Sequence, residues 1–203
     1  MNKRAETMIF FSLHYPYHFT DSYLDEEINL LAKQFNKVIV ITSNTFSTEK
    51  RTVPENTVVY RFNPNSNSKT RAKTFQLLLK SVFYKKLFQI VLDSDVAFNL
   101  YVIKELFAFY ARAEATKEFL EEIIEQHAID KNSLLIYTYW MVESTMAAAL
   151  LKCKNSTIKI ISKAHSQDVY FERSPVGYHP YRKFIFDHLN HLFFISVDAR
   201  NYF

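Results

Sequence analysis

Apolar residues fall along the chain in two recurring patterns. Short β-branched or aromatic runs occupy residues 8–13 (MIFFSL), 37–42 (KVIVIT), 58–62 (VVYRF), 134–138 (LLIYT), 158–164 (IKIISKA) and 192–195 (LFFI). Their length and composition are those of strands covered on both faces. Between them, apolar residues recur at helical spacing. Leu24, Ile28, Leu31 and Phe35 lie four, three and four residues apart, so a helix is expected over 23–35. Ser22 or Asp21 would cap it, and Asp25, Glu26 and Glu27 fall in its first turn, where the helix dipole favours them.

An amphipathic helix is expected over 69–82, with Lys69, Lys73 and Lys80 on one face and Phe75, Leu78, Leu79 and Val82 on the other. A long helix capped by Ser94 or Asp95 should reach His127, its acidic outer end in solvent. Further helices are expected over 140–152, over 181–189 and from about residue 196. Six strands separated by helices predict an α/β fold in one domain spanning 1–203: a doubly wound, mostly parallel sheet with helices on both faces.

Composition narrows the chemistry. With one glycine in 203 residues, Gly177, neither a G-x-G-x-x-G turn nor a P-loop exists. There is no C-x-x-C, H-E-x-x-H or G-x-S-x-G motif either, so zinc sites and α/β-hydrolase chemistry lose their sequence support. The one cysteine, Cys153 beside Leu150 and Leu151, fits a reducing compartment and reads as a partly buried thiol. The run at 8–13 is too short for a secretory signal, and no apolar stretch approaches 20 residues. A cytoplasmic protein is expected.

The net charge of +4 is modest but unevenly spread. Between Glu55 and Asp93 no acidic residue occurs, while Lys69, Lys73 and Lys80 are among seven basic ones. The block suits either an anionic membrane surface or a packed helix with a solvated lysine face. The aromatics on its other face and the lack of a recognition motif argue against nucleic acid.

In a parallel sheet, loops leaving the carboxyl ends of strands share one edge and handle ligands there. The first such loop offers His14, His18, Thr20 and Asp21; the fourth offers Tyr139, Trp140 and Glu143; the fifth offers His165, Asp168, Arg173 and Tyr178. His18 precedes a helix amino terminus, which favours anions. Trp140, the only tryptophan, suits a core position or a ligand platform, and Asp168 a turn or a site. Arg173 is either a ligand contact or a surface charge beside Glu172. His165 follows an apolar strand, where the chain passes from core to cleft, with Ser166 and Asp168 beside it. There it can bond a sugar hydroxyl or carry a proton, or else serve as a structural histidine. Nothing in the spacing demands a metal site from His18, His165 and Asp168.

Three segments together carry a resemblance: YPYHFTDSYLDEEI from Tyr15, YTYWMVESTMAAALL from Tyr137, and SKAHSQDVYFERSPVGYHPYRKFI from Ser162. The chain resembles the amino-terminal, acceptor-binding domain of retaining "group one" glycosyltransferases of the GT-B fold, many of which build bacterial capsule or lipopolysaccharide. FISVDARNYF at the end resembles the segment where such enzymes cross to their second domain. The resemblance implies a Rossmann-like half of an enzyme, with a nucleotide-sugar as substrate and no cofactor or metal. It also implies a separate donor-binding domain as partner, a glycan or lipid-linked acceptor, and peripheral contact with the inner face of the membrane.

Under the resemblance, His165 stands beside the donor sugar, and His18, Thr20 and Asp21 near the donor phosphates. Tyr139, Trp140, Asp168, Arg173 and Tyr178 would complete the cleft. The family's first loop is glycine-rich; here it reads YHFTD, with side chains where backbone amides would approach phosphate. The other reading is a non-catalytic glycan- or membrane-binding module that partners a separate donor-domain protein.

Overall fold

The computed structural model describes residues 6–17, 19–43, 46–65, 100–174 and 177–203. The expected lysine-bearing helix over 69–82, the caps Ser94 and Asp95, and His18 lie outside these residues. The described chain runs β1 (Thr7–Ser12), α1 (Leu24–Ala32), β2 (Lys37–Thr42), β3 (Thr57–Arg61), α2 (Leu100–Gln126) and β4 (Leu134–Thr138). It continues with α3 (Glu143–Lys154), β5 (Lys159–Ala164), α4 (Ser166–Val169), α5 (Arg182–His188), β6 (His191–Phe194) and α6 (Val197–Tyr202).

All six strands are parallel, in the order β3-β2-β1-β4-β5-β6. This is the doubly wound, Rossmann-like α/β arrangement. The chain reverses its direction of travel across the sheet between β1 and β4, and there the loops after the two strands part to open a crevice.

Strand periodicity assigns the core. On one face Met8, Phe10, Val38 and Val40 meet Leu24, Ile28 and Ala32 of α1. On the other, Ile9, Phe11, Ile39 and Ile136 meet Leu120, Ile123 and Ile124 of α2 and Ala147, Ala148 and Leu151 of α3. The central strands are buried on both faces, as their apolar runs require. β3 and β6, at the two edges, alternate with exposed positions.

Several local expectations change. Neither Ser22 nor Asp21 caps α1: the N-cap is Tyr23, without a side-chain bond. The Asp21 carboxylate turns back into the preceding loop instead, where two amide donors satisfy it better than one helix terminus would. At the acidic end of α2, Glu122 and Glu125 are exposed as expected, while Leu120, Ile123 and Ile124 on the other side of the same stretch bury against the sheet. Trp140 to Val142 form a loop, and α3 starts at Glu143. Cys153 is exposed on the outer side of α3, its Sγ 3.2 Å from His188 Nε2; Leu150 and Leu151 take the inward positions. Gly177 has φ +62° in the turn before α5, a conformation glycine adopts without strain.

Candidate functional site

The loop after β1 is held by side chains. Asp21, 4 % exposed, accepts hydrogen bonds from the backbone N–H of His14 (3.0 Å) and Tyr15 (3.1 Å) and from the Tyr23 hydroxyl (3.3 Å). Arg51, from the connection between β2 and β3, donates to the carbonyls of Asp21 and Pro16, pairs with Asp25 at 2.5 Å and lies over the Tyr15 ring. The peptide bond before Pro16 is cis. Thr20 is exposed on the short turn before Asp21.

The loops after β4 and β5 are joined by a second buried carboxylate. Asp168 Oδ2 accepts from the N–H of Met141 and of His165, each at 3.2 Å. Asp168 is 5 % exposed, and burial pushes its carboxyl up to about 6, against the pull of those amides and of Arg182. Arg182 donates to the carbonyls of Asp168 and Val169, which ties α5 to the same corner. Beneath it the hydroxyls of Thr145, Thr138 and Ser162 stand in a row 2.8 Å apart, all fully buried. They join the ends of β4 and β5 to the first turn of α3.

On this frame three rings converge. His165 lies 4.1 Å from the Trp140 ring and 4.8 Å from the Tyr139 ring, centroid to centroid, and Tyr23 packs on Tyr139 from α1. Among the described residues, the buried His165 Nδ1 and Trp140 Nε1 have no hydrogen-bond partner, and Asp168 Oδ2 stands 3.9 Å from Nδ1. Burial first, and the Lys163 ammonium second, lower the His165 pKa below its ordinary 6.5. The imidazole is therefore neutral at pH 7.

Lys163 pairs with Glu27 at 2.7 Å and lies over the Tyr139 ring, and Glu27 also accepts from the Tyr137 hydroxyl at 2.6 Å. Burial, with Glu27 beside it, raises the Tyr137 pKa. Sequence reading passes over this pair, since Glu27 and Lys163 lie 136 residues apart and read separately as a first-turn acid and a strand residue.

The structure thus brings Tyr139, Trp140, His165 and Asp168 together, with Asp21 one ring away through Tyr23. Arg173 stands on the surface, bonded to the Ser166 hydroxyl at 3.2 Å. Tyr178 packs with the α2–α3–α5 cluster.

Trp140 also borders a small, open cleft that His165 does not line. Its wall comes from the ends of β1 and β2 (Ser12, Ser43), the segment after β3 (Phe62), and the first turn of α3 (Glu143, Ser144). Among the described residues no group of three or more His, Cys, Asp or Glu is placed to hold a metal ion, and no helix is long and apolar enough to cross a membrane.

The contact of the lone tryptophan with His165 gives a direct readout. A protonated imidazole quenches an adjacent indole, so Trp140 emission should fall as pH is lowered, with a midpoint below 6.5 because the folded state disfavours the charged imidazole. A fluorescence titration checks this. His165→Asn should abolish the transition.

No protein-family model matches the chain, and no curated protein matches it. Among solved structures it is similar to UGT2 of Phytolacca americana, solved with UDP-2fluoro-glucose and pterostilbene. The likeness covers 84 % of this chain and 33 % of that one, at 11 % identity and a TM-score of 0.41. The chain spans about a third of that protein's length. At that identity and score the likeness says nothing of activity.

Proposed function

We propose that this domain is the acceptor-binding half of a glycosyltransferase, working beside a donor-binding domain that holds a nucleotide-sugar. The observation that carries the reading is the Trp140–His165–Tyr139 cluster at the switch-point edge of the sheet. Indole and phenol faces suit the C–H face of a sugar ring. A neutral imidazole can donate or accept a hydrogen bond from a hydroxyl without presenting a fixed charge. Its Nδ1 is covered, which leaves Nε2 as the ring nitrogen for a ligand. His165 thus holds a sugar hydroxyl beside the Trp140 and Tyr139 rings, and Asp168 sets where the imidazole stands by bonding the N–H of the same residue. Transfer to a glycan or lipid-linked acceptor of a bacterial surface polysaccharide, with retention, follows from the sequence resemblance.

One observation favours the second reading, a glycan-binding module without its own transfer chemistry. The amides of His14 and Tyr15, in the loop where the resembling enzymes approach phosphate, are already taken by the Asp21 carboxylate. That carboxylate also repels an anion. The test is sugar transfer from a panel of nucleotide-sugars, assayed with the donor domain present. His165→Ala should lower kcat/KM by about 100-fold, the size of a lost transition-state hydrogen bond or proton carrier. Transfer undiminished in His165→Ala rejects the site. Saturable glycan binding with no transfer from any donor selects the module.

A further inference from the structure

One histidine fastens the end of α2 to two strands of the sheet. His127 follows Gln126, the last residue of α2. Its Nδ1 stands 3.1 Å from the ammonium of Lys37, the first residue of β2, and its Nε2 stands 2.8 Å from the Tyr60 hydroxyl on β3. These partners lie 90 and 67 residues away in sequence. The chemistry of the three groups fixes where the proton sits. An ammonium can only donate, so Nδ1 must offer a lone pair. The neutral ring then carries its hydrogen on Nε2 and donates it to the Tyr60 oxygen. The Tyr60 ring also meets the imidazole edge to face, with centroids 5.8 Å apart.

We propose that Lys37, Tyr60 and His127 form a pH-sensitive latch, in which protonation of His127 releases β2 from the end of α2 while the tie to β3 holds. A second proton on the ring can sit only on Nδ1, where it points at the Lys37 ammonium. That hydrogen bond is lost, and two like charges stand 3.1 Å apart until Lys37 swings away. The N–H on Nε2 is untouched by this step, so Tyr60 keeps its bond. Burial first, and Lys37 second, lower the His127 pKa below its ordinary 6.5. No carboxylate of the described residues is among the groups that shift it. The nearby acids of α2, Glu122 and Glu125, are exposed. The carbonyls ending α2 attract a cation, and burial and Lys37 outweigh that pull. The folded chain therefore binds this proton less readily than the unfolded one. The latch is closed above pH 6.5, and its hold is lost as pH falls from there through the lowered folded value.

The latch reaches toward the cleft that Trp140 borders. Phe119, about two turns before His127 on α2, stacks on Phe62 at 4.4 Å and meets Tyr60 at 6.2 Å. Phe62 in turn lines the cleft. The contacts of His127 lie outside the sugar site, so the latch holds whether or not the domain takes part in transfer.

Two-dimensional NMR of the intact protein from pH 8 to pH 4.5 tests the latch, with His127→Gln identifying the His127 signals among those of seven histidines. Hydrogen exchange is followed in parallel at the His127 and Ile129 amides, which donate to the carbonyls of Ile123 and Ile124. His127 should titrate with a midpoint below 6.5. Protection factors at both amides should fall by up to about tenfold between pH 7 and pH 5, the worth of one net hydrogen bond, while that of Ile39 in the middle of β2 stays unchanged. Lys37→Met should move the midpoint up and remove most of the pH dependence. Tyr60→Phe should lower protection at every pH and leave the pH dependence in place. A midpoint at or above 6.5, or one unmoved by Lys37→Met, overturns the inference. So does protection that is constant with pH, or that falls equally at Ile39, since the latter marks unfolding of the whole domain.

Discussion

Replacing Asp168 by asparagine should make the protein more stable at pH 8, by up to about 3 kcal/mol, and should flatten its stability between pH 4 and 6. Asp168 is almost fully buried, and its carboxyl is pushed up to about 6 from an ordinary 3.8. Between those values the folded chain binds more protons than the unfolded one, so stability falls as pH rises through that window and stays at the lower level above it. The gap corresponds to about 3 kcal/mol. Asparagine keeps a side-chain oxygen where Oδ2 accepts from Met141 and His165 and removes the charge that burial penalises. Asp168→Ala removes the acceptor as well. It should lie at least about 2 kcal/mol below Asp168→Asn, because two buried N–H groups lose their partner. Urea unfolding of the three proteins at pH 4, 6 and 8 measures all of this. A wild-type protein whose stability rises from pH 4 to 6 while Asp168→Asn stays flat would reverse the sign and reject the argument.

The second large effect is expected at Glu27. Its carboxylate takes two hydrogen bonds from Lys163, at 2.7 and 2.8 Å, and one from Tyr137 at 2.6 Å. Glu27→Leu leaves an ammonium and a phenol hydroxyl without that partner, in a place where each side chain of the pair keeps only 27 % of its exposure. Partial exposure screens the loss, so the cost lies between those of surface and buried pairs, about 2 kcal/mol. Glu27→Leu combined with Lys163→Met should recover about half of it, since neither charge is then stranded. Denaturant unfolding of the four proteins closes the cycle. The same variants act on the imidazole: Lys163 lowers the His165 pKa and Glu27 raises it. Lys163→Met should therefore move the Trp140 quenching midpoint upward, and Glu27→Leu should move it downward.

How much of this was legible in the chain depends on the range of the force involved. Period-two and period-3.6 patterning located each described strand and main helix to within a few residues. The KVIVIT run and Leu134–Thr138 fall where they were expected, because burial on both faces leaves no choice of residue type. Caps and ends were less legible. Asp21 looks like a helix cap in sequence, and only three dimensions show that the His14 and Tyr15 amides outcompete that role.

The site was half readable for the same reason. His165 and Trp140 announce themselves at strand ends, and their stacking follows from the adjacency of β4 and β5. Glu27 and Lys163 meet across the sheet face, and the cleft wall gathers Ser43, Phe62 and Glu143 from three separate elements. No local pattern encodes such encounters. Lys69, Lys73, Lys80 and His18 lie outside the described residues.

The strand order also governs when the chain can fold. β1 pairs on one side with β2, nearby in sequence, but on the other with β4, so that Thr7 stands opposite Leu134. A polypeptide emerging from the ribosome amino terminus first can form the β1–β2–β3 half long before the central partner exists. Until β4 arrives, the β4-facing edge of β1 and the apolar side chains of Ile9 and Phe11 have no cover from Ile136 or α3. Closing so distant a contact costs chain entropy before any of its reward is collected. Slow refolding, and a nascent chain that needs protection until residue 138 has been made, are the kinetic counterpart of a crevice that opens between two strands far apart in sequence.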